Sequence, residues 1–312
     1  MNTTTTWDMW PSTTKLSSLF ARHAIIGGKR SERWNPNWID APLRWRKPCH
    51  IELIRDIFHP NVPADVIDRI FAVMALCQQH VFVVLTKRPE RMQNWFSFIT
   101  CQHGVNREIL SLTHDWTDRS AVVGVLDGPW PLRNVALGVT AEDQKRADER
   151  IPHLLATPAA CRFVSYEPAL GPVDWPQLAP GAIDGVIMGG ESGPGARPMH
   201  PDWVRDTRDK CAAAGVRFFF KQWGEWAPVT IEEDEHGDLG AAVPMAGCSE
   251  FAVHKDEQEC LFWQADRLVH WPLIQTTAAI GARRVGKTRA GRVLDGRTHN
   301  ELPWAKMLED QQ

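Results

Sequence analysis

Residues 185–197 read Gly185-Val186-Ile187-Met188-Gly189-Gly190-Glu191-Ser192-Gly193-Pro194-Gly195-Ala196-Arg197, and a polar-apolar stretch beginning His200-Pro201-Asp202 leads on to Gly215 and Val216-Arg217-Phe218-Phe219-Phe220. The opening apolar run is short and lacks polar alternation, as expected of a strand covered on both faces. The second stretch, 200–214, has Pro and Asp at its start and Gly just past its end, the signals of a helix start and stop. Strand, glycine-rich loop, helix, strand is the repeating unit of a parallel α/β sheet.

The same rhythm runs back to about residue 50. Strands are expected at 51–54, 81–85, 135–139, 162–165, 185–188 and 216–220. Helices are expected at 64–79, where Val66, Ile70, Val73, Met74 and Cys77 recur at helical spacing, and at 142–155 and 200–214. Residues 101–130 interrupt the pattern with a polar stretch, part helix and part loop, ending Asp127-Gly128-Pro129-Trp130. After Trp226 an insertion carries the acidic run Glu232-Glu233-Asp234-Glu235, read as an exposed loop or hairpin, and 281–297 holds six basic residues against one acid. The fold class is therefore α/β of the (β/α)-barrel type, with binding groups expected in the loops at the carboxyl ends of the strands.

Composition fits a soluble globular protein: 43% hydrophobic and 23% charged residues at a net charge of −3 exclude a disordered chain. No apolar run reaches the roughly 18 residues of a membrane span, so no membrane partner is expected. The N-terminus has no secretory pattern, which places the protein in the cytoplasm. Seven scattered cysteines without a Cys-x-x-Cys pair read as reduced, buried thiols and give no metal-ligand spacing. Fifteen tryptophans against one tyrosine read as packing and rim residues.

Five successive strand ends carry charged or amide groups: Thr86-Lys87-Arg88-Pro89, Thr140-Ala141-Glu142-Asp143, Tyr166-Glu167-Pro168, the 189–197 loop, and Lys221-Gln222-Trp223-Gly224. Each alone has a structural explanation, a cap or a local ion pair. Their convergence implies a shared polar pocket. Lys87, Arg88, Arg197 and Lys221 offer cations for phosphate or carboxylate, and Glu142, Glu167 and Glu191 accept hydroxyl or amine protons or exchange protons. Four glycines within 189–195 allow backbone N–H groups to approach an anion, although a tight loop needing positive φ explains them equally. The expected ligand is polar and partly anionic.

Gly281-Ala282-Arg283-Arg284-Val285-Gly286-Lys287-Thr288 fits the phosphate-loop pattern G-x-x-x-x-G-K-[ST]. Its context does not: 276–280 is a poor strand, glycines follow too soon for a long helix, and little chain remains for a metal-binding acid. A basic tail touching phosphate or folding over the pocket is the expected role.

Taken together, Leu43-Arg44-Trp45-Arg46-Lys47-Pro48, Leu85-Thr86-Lys87-Arg88-Pro89-Glu90-Arg91-Met92, Leu137-Gly138-Val139-Thr140-Ala141-Glu142, the loop from Gly189 to Pro198, Phe220-Lys221-Gln222-Trp223-Gly224 and the ending, Arg284-Val285-Gly286-Lys287 with Gly291-Arg292-Val293-Leu294-Asp295-Gly296-Arg297, resemble signature segments of the phage and prophage three-cysteine, radical-SAM-like proteins. The resemblance implies a partial (β/α) barrel of about six βα units, a [4Fe–4S] cluster on three N-terminal cysteines, bound S-adenosylmethionine, work on nucleic acid, and a host-cytoplasmic location. Here the chain departs from the pattern: residues 7–26 contain no cysteine, and the cluster needs thiolates. The implied organisation is a divergent N-terminal segment, 1–48, a barrel core, 49–226, and an acidic loop with a basic extension packing on the barrel, 227–312.

The functional expectation is a pocket for a nucleotide-like molecule or nucleic acid, without a working cluster. Glu167, Glu191 and Lys221 are its candidate catalytic residues. Glu142, Gly189, Gly190, Ser192 and Gly193 would hold a cofactor such as S-adenosylmethionine. Lys87, Arg88, Arg197, Gln222 and Trp223 would bind substrate. The rival reading is a non-catalytic module that engages a protein partner.

Overall fold

A computed structural model describes residues 22–26, 36–53, 55–97, 99–176, 178–179, 181–233, 239–245, 260–264, 267–270 and 280–310. Seven strands lie in one sheet in sequence order: β1 (Arg22–Ile26), β2 (Cys49–Leu53), β3 (Val81–Thr86), β4 (Val135–Thr140), β5 (Cys161–Tyr166), β6 (Gly185–Gly189) and β7 (Arg217–Gln222). The pairs β1–β2, β2–β3, β5–β6 and β6–β7 are parallel, with helices between the strands except from β5 to β6, where the described residues form none. All six expected strands are present within a residue or two, and β1 is an addition. Most of the expected N-terminal segment, 1–48, lies outside the described residues. Among the described residues no helix is long and apolar enough to cross a membrane.

The chain forms two compact units, and β4 contributes to both, dividing between Leu137 and Gly138. The first unit holds β1 to β3 and the helices α1 (Pro36–Ile39), α2 (Ala64–Leu76), α3 (Pro89–Ser97), α4 (Ile99–Leu112) and α5 (Arg119–Leu126). The helix α2 buries Ile67, Ile70, Phe71, Val73 and Met74, each such side chain contributing about 1.5–3 kcal/mol. It stops three residues before the expected end, and the buried Asn134 amide closes that end by donating to the carbonyls of Met74, Cys77 and His80. Phe71, Trp95, Phe96 and Trp130 form one aromatic cluster, with Phe71 and Trp95 4.5 Å apart, so these tryptophans are packing residues. Trp95 donates to Asp68 Oδ1 at 3.1 Å, and Gly104 is required where α4 meets that carboxylate, since a Cβ there would lie 2.1 Å from it. Residues 101–130 are part helix and part loop, as expected, with Asp118 capping α5 by accepting from Ser120 and Ala121.

The second unit contains β5 to β7, α6 (Gln144–Ala156) and α7 (Pro201–Ala214), which ends on Gly215 in the left-handed region at φ 65°. Gly138 lies flat on Phe163, whose ring also meets Trp304 at 5.2 Å. Beyond Trp226 the expected hairpin is formed by β8 (Trp226–Glu233) and β9 (Leu239–Pro244), paired antiparallel, and it belongs to a five-stranded antiparallel sheet with β10 (Cys260–Gln264), β11 (Arg267–His270) and β12 (Ile280–Arg284), in the order β11-β10-β12-β8-β9. Its strands are short and interrupted by Gly and Pro, which hid their alternation. Asp234 and Glu235 of the acidic run lie outside the described residues. Residues 281–284 of the phosphate-loop pattern are strand, paired with β8, and only a four-residue helix, α8 (Lys287–Ala290), follows. The C-terminal segment then runs along β7: Phe220 N–H donates to His299 O, and Asn300 bridges Phe219. That pairing covers β7, the last strand of the sheet.

Candidate functional site

In the second unit β5, β6 and β7 are parallel neighbours, so their carboxyl ends bring Glu167, Gly189, Gly190, Lys221 and Gln222 together. Lys221 Nζ lies 3.0 Å from Glu167 Oε2, both side chains largely buried. Gln222 Nε2 donates to Gly190 O at 2.8 Å and lies 3.5 Å from Glu167 Oε1. Gln222 is 2% exposed, and its Oε1 has no hydrogen-bond partner among the described residues.

Glycine is a steric requirement here. A Cβ on Gly190 would sit 1.9 Å from the Trp223 carbonyl oxygen, and one on Gly224, at φ 89°, 2.2 Å from Glu191 O. Gly189 underlies Glu167, whose Oε1 would lie 3.1 Å from an added Cβ. The loops after β6 and β7 are thereby stitched together: Gly190 N–H donates to Gln222 O and Glu225 N–H to Glu191 O.

The glycine-rich loop is braced from within and from the second sheet. Arg197 clasps Glu191 through Nε, Nη2 and its backbone N–H, each at 2.8 Å, which holds the Glu191 carboxyl below the usual range. Gly193 N–H donates to Glu225 Oε1 at 3.0 Å, and Arg284 Nη2 donates to Gly193 O at 3.4 Å. Trp226 Nε1 donates to Ala196 O at 2.6 Å. The N–H groups of Gly190, Gly193, Ala196 and Arg197 all have protein acceptors. The loop therefore presents fewer donors to an anion than its glycines suggest. Ser192 Oγ is buried, without a hydrogen bond among the described residues.

Other expected site residues have structural partners of their own. Glu142 pairs with Arg150 at 2.9 Å, and Arg150 also donates to Thr140 O. Trp223 is 1% exposed, packs on Phe220 and donates from Nε1 to Val293 O, so its ring is embedded in protein. Lys87 and Arg88 belong to the first unit. There Asp56, just after β2, accepts from Thr86 Oγ1 at 2.6 Å, Arg88 Nη1 at 2.9 Å, and the N–H groups of Lys87 and Phe58.

Two residues of the cluster were missed in the sequence. Glu225 bridges Gly193 to the segment after β12, its backbone oxygen accepting from Val285 and Gly286 at 3.0 Å each. Lys287 follows directly. Burial and the Lys221 ammonium push its pKa down, partly offset by Glu167 and Glu225. Two signals pointed to it, the lysine of the phosphate-loop pattern and the family-like ending from Arg284 to Lys287, and neither gave it a role in the pocket.

The described cysteines do not fit an iron–sulfur cluster. Cys49 opens β2, Cys77 follows α2, Cys101 lies in α4, Cys161 opens β5 and Cys211 lies in α7, all buried. Burial pushes the Cys77 and Cys211 thiols up to about 12 and raises those of Cys101 and Cys161, as for thiols packed in a core. Among the described residues no three His, Cys, Asp or Glu side chains form a metal-binding group.

Residues 8–303 match the model of a family of proteins of unknown function, DUF5131, and the chain belongs to that family. No curated protein and no solved structure matches it.

Proposed function

We propose that the carboxyl ends of β5, β6 and β7 form a binding site for a polar, anionic, nucleotide-like ligand, on a radical-SAM-like partial barrel that works without an iron–sulfur cluster. The observation that carries this reading is the Lys221–Glu167 pair at 3.0 Å beside the buried Gln222 amide, at three adjoining strand ends. Lys221 binds the anion. Glu167 then exchanges its ammonium partner for hydroxyl or amine donors of the ligand, at little net electrostatic cost. S-adenosylmethionine is one candidate of this chemistry, with a carboxylate for Lys221 and an amine and ribose hydroxyls for Glu167; as a sulfonium it would supply an electrophilic methyl group.

A small molecule is preferred to nucleic acid. The basic segment behind the nucleic-acid expectation spends its charges internally: Arg283 is 4% exposed, Arg284 donates to Gly193 O, Arg289 to Val285 O and Arg292 to His299 O. A second reading, binding without catalysis, is favoured by the carboxylates themselves. Glu142, Glu167 and Glu191, the expected acid–base groups, each face a cation within 3.0 Å. A protein partner would then be the recipient of the ligand signal.

Calorimetric titration with S-adenosylmethionine and with AMP tests the site. Binding by the wild type that is lost in Lys221→Ala and weakened in Glu167→Gln supports it, and equal binding by all three proteins contradicts it. Iron and sulfide analysis after anaerobic reconstitution tests the cluster-free reading, which a stoichiometric cluster would overturn.

A further inference from the structure

We infer that Arg292, whose guanidinium lies on the Phe219 ring one row of side chains below the Lys221–Glu167 pair, receives the oxyanion of the ligand, a phosphoryl or carboxylate group. This rests on the reading of the cluster as a ligand site and adds a cation that no carboxylate matches among the described residues.

Strand register places Arg292. Ser165, Ile187 and Phe219 are partners across β5, β6 and β7, so their side chains share one face of the sheet. Two residues further along each strand come Glu167, Gly189 and Lys221, and they meet on that face: Glu167 overlies Gly189 and pairs with Lys221 at 3.0 Å. The Arg292 guanidinium carbon lies 4.9 Å from the centroid of the Phe219 ring. Phe219 precedes Lys221 by two residues, about 7 Å of strand. The backbone on either side is fixed, because Gly291 O accepts from Trp223 N–H at 3.0 Å and His299 O from Phe220 N–H at 3.1 Å.

The guanidinium nitrogens are unequally used. Nη2 donates to His299 O at 3.2 Å and to Asn300 Oδ1, and the Asn300 amide is oriented by its own donation to Thr298 Oγ1 at 3.2 Å. Among the described residues Nε is enclosed without a hydrogen bond, and Nη1 donates to no protein group. Both acceptors of Nη2 are neutral, so they occupy N–H groups without cancelling charge. Arg150, Arg197, Arg205 and Arg208 of the same unit each face a carboxylate. At Arg292 burial alone acts, pushing the pKa below the ordinary guanidinium value with no carboxylate to offset it. A cation withdrawn from water without a counter-charge is held at a cost. The fold does not require that charge, since the 291–300 segment is already tied to Phe220 and Trp223 by backbone hydrogen bonds. An oxyanion supplies the missing counter-charge, and a guanidinium resting on an aromatic face with a nitrogen left over is suited to bind one.

Calorimetric titration with AMP, S-adenosylmethionine and adenosine, on the wild type, Arg292→Met, Arg292→Lys and Lys221→Ala, tests the assignment, together with thermal denaturation with and without each probe. AMP carries a phosphoryl group, S-adenosylmethionine a carboxylate and adenosine neither, so the arms tell the two anions apart. An anionic probe that binds the wild type is expected to lose at least about tenfold in affinity in Arg292→Met, and adenosine is expected not to bind. Without a probe Arg292→Met should melt no lower than the wild type, because methionine keeps the packing on Phe219 and removes the unmatched charge. A structural arginine would show the opposite, a lower midpoint with affinity intact, and that result would overturn the inference. If Arg292→Met shows no folding transition, Arg292→Lys decides. One ammonium cannot hold both protein acceptors and the guest, so a loss of about threefold or more is expected, and unchanged affinity overturns the inference. Affinity unchanged in the Arg292 variants but lost in Lys221→Ala leaves the ligand site standing without Arg292. Adenosine binding as tightly as the anionic probes also removes the role of Arg292. If no probe binds the wild type, both readings fall.

Discussion

The ends of β3 and β7 look alike as sequence, each apolar run giving way to a lysine and further polar groups, yet their surroundings differ. In the first unit, Arg88 is held by Asp56, and that carboxylate is saturated by a hydroxyl, two backbone N–H groups and the guanidinium. In the second, Lys221 shares one carboxylate with an amide and has another lysine nearby. A strand-end cation whose partner lies on the preceding strand's loop serves the fold. One whose carboxylate partner it shares with a buried amide, at three adjoining strand ends, is equipped for a ligand. Predictions can break or sharpen that contrast.

The largest effect on stability belongs to the second unit's stitching. Gly190→Ala places a Cβ against a backbone oxygen and should cost at least about 3 kcal/mol in chemical denaturation. A midpoint like that of the wild type would mean the loops after β6 and β7 are not joined as described. Asp56→Ala strands a hydroxyl and a guanidinium and should cost about 2–3 kcal/mol, with AMP binding unchanged. Loss of AMP binding in that variant would erase the contrast. Lys221→Ala should show the reverse profile, about 1–2 kcal/mol of stability but no ligand binding.

Smaller effects come from histidines and the loop clasp. His80 accepts from Cys49 N–H at Nδ1 and donates from Nε2 to Pro42 O, so it is neutral in the fold, and burial lowers its pKa together with those of His200 and His299. A depressed folded-state pKa means the unfolded chain takes the proton first. Stability is therefore full above the ordinary value of 6.5 and falls as pH drops through it, which denaturation at stepped pH would register. His80→Gln should flatten that fall. Arg197→Ala, at a pair with an exposed guanidinium, should cost only about 0.5 kcal/mol.

The parallel sheet was legible because its strands are unbroken apolar runs and its helices carry Pro, Asp and Gly punctuation, as at Pro201, Asp202 and Gly215. Strand β1 was not read, its five residues bounded by no such rhythm, and the second sheet's short strands hid theirs. At the candidate site, Glu167, Lys221 and Gln222 were legible from their place just after strands. Glu225 and Lys287 were not, since their contribution depends on a return of the chain after β12 that local pattern does not encode. Asp56 escaped because a single aspartate after a strand announces nothing until its donors are known.

Acylation of lysines by an amine-reactive reagent, followed by mass spectrometry with and without saturating AMP, measures the contrast within one molecule. Protection of Lys221 with Lys87 unchanged is the predicted result. Unchanged labelling of both, or protection of Lys87 alone, would contradict the assignment of the ligand to the ends of β5, β6 and β7.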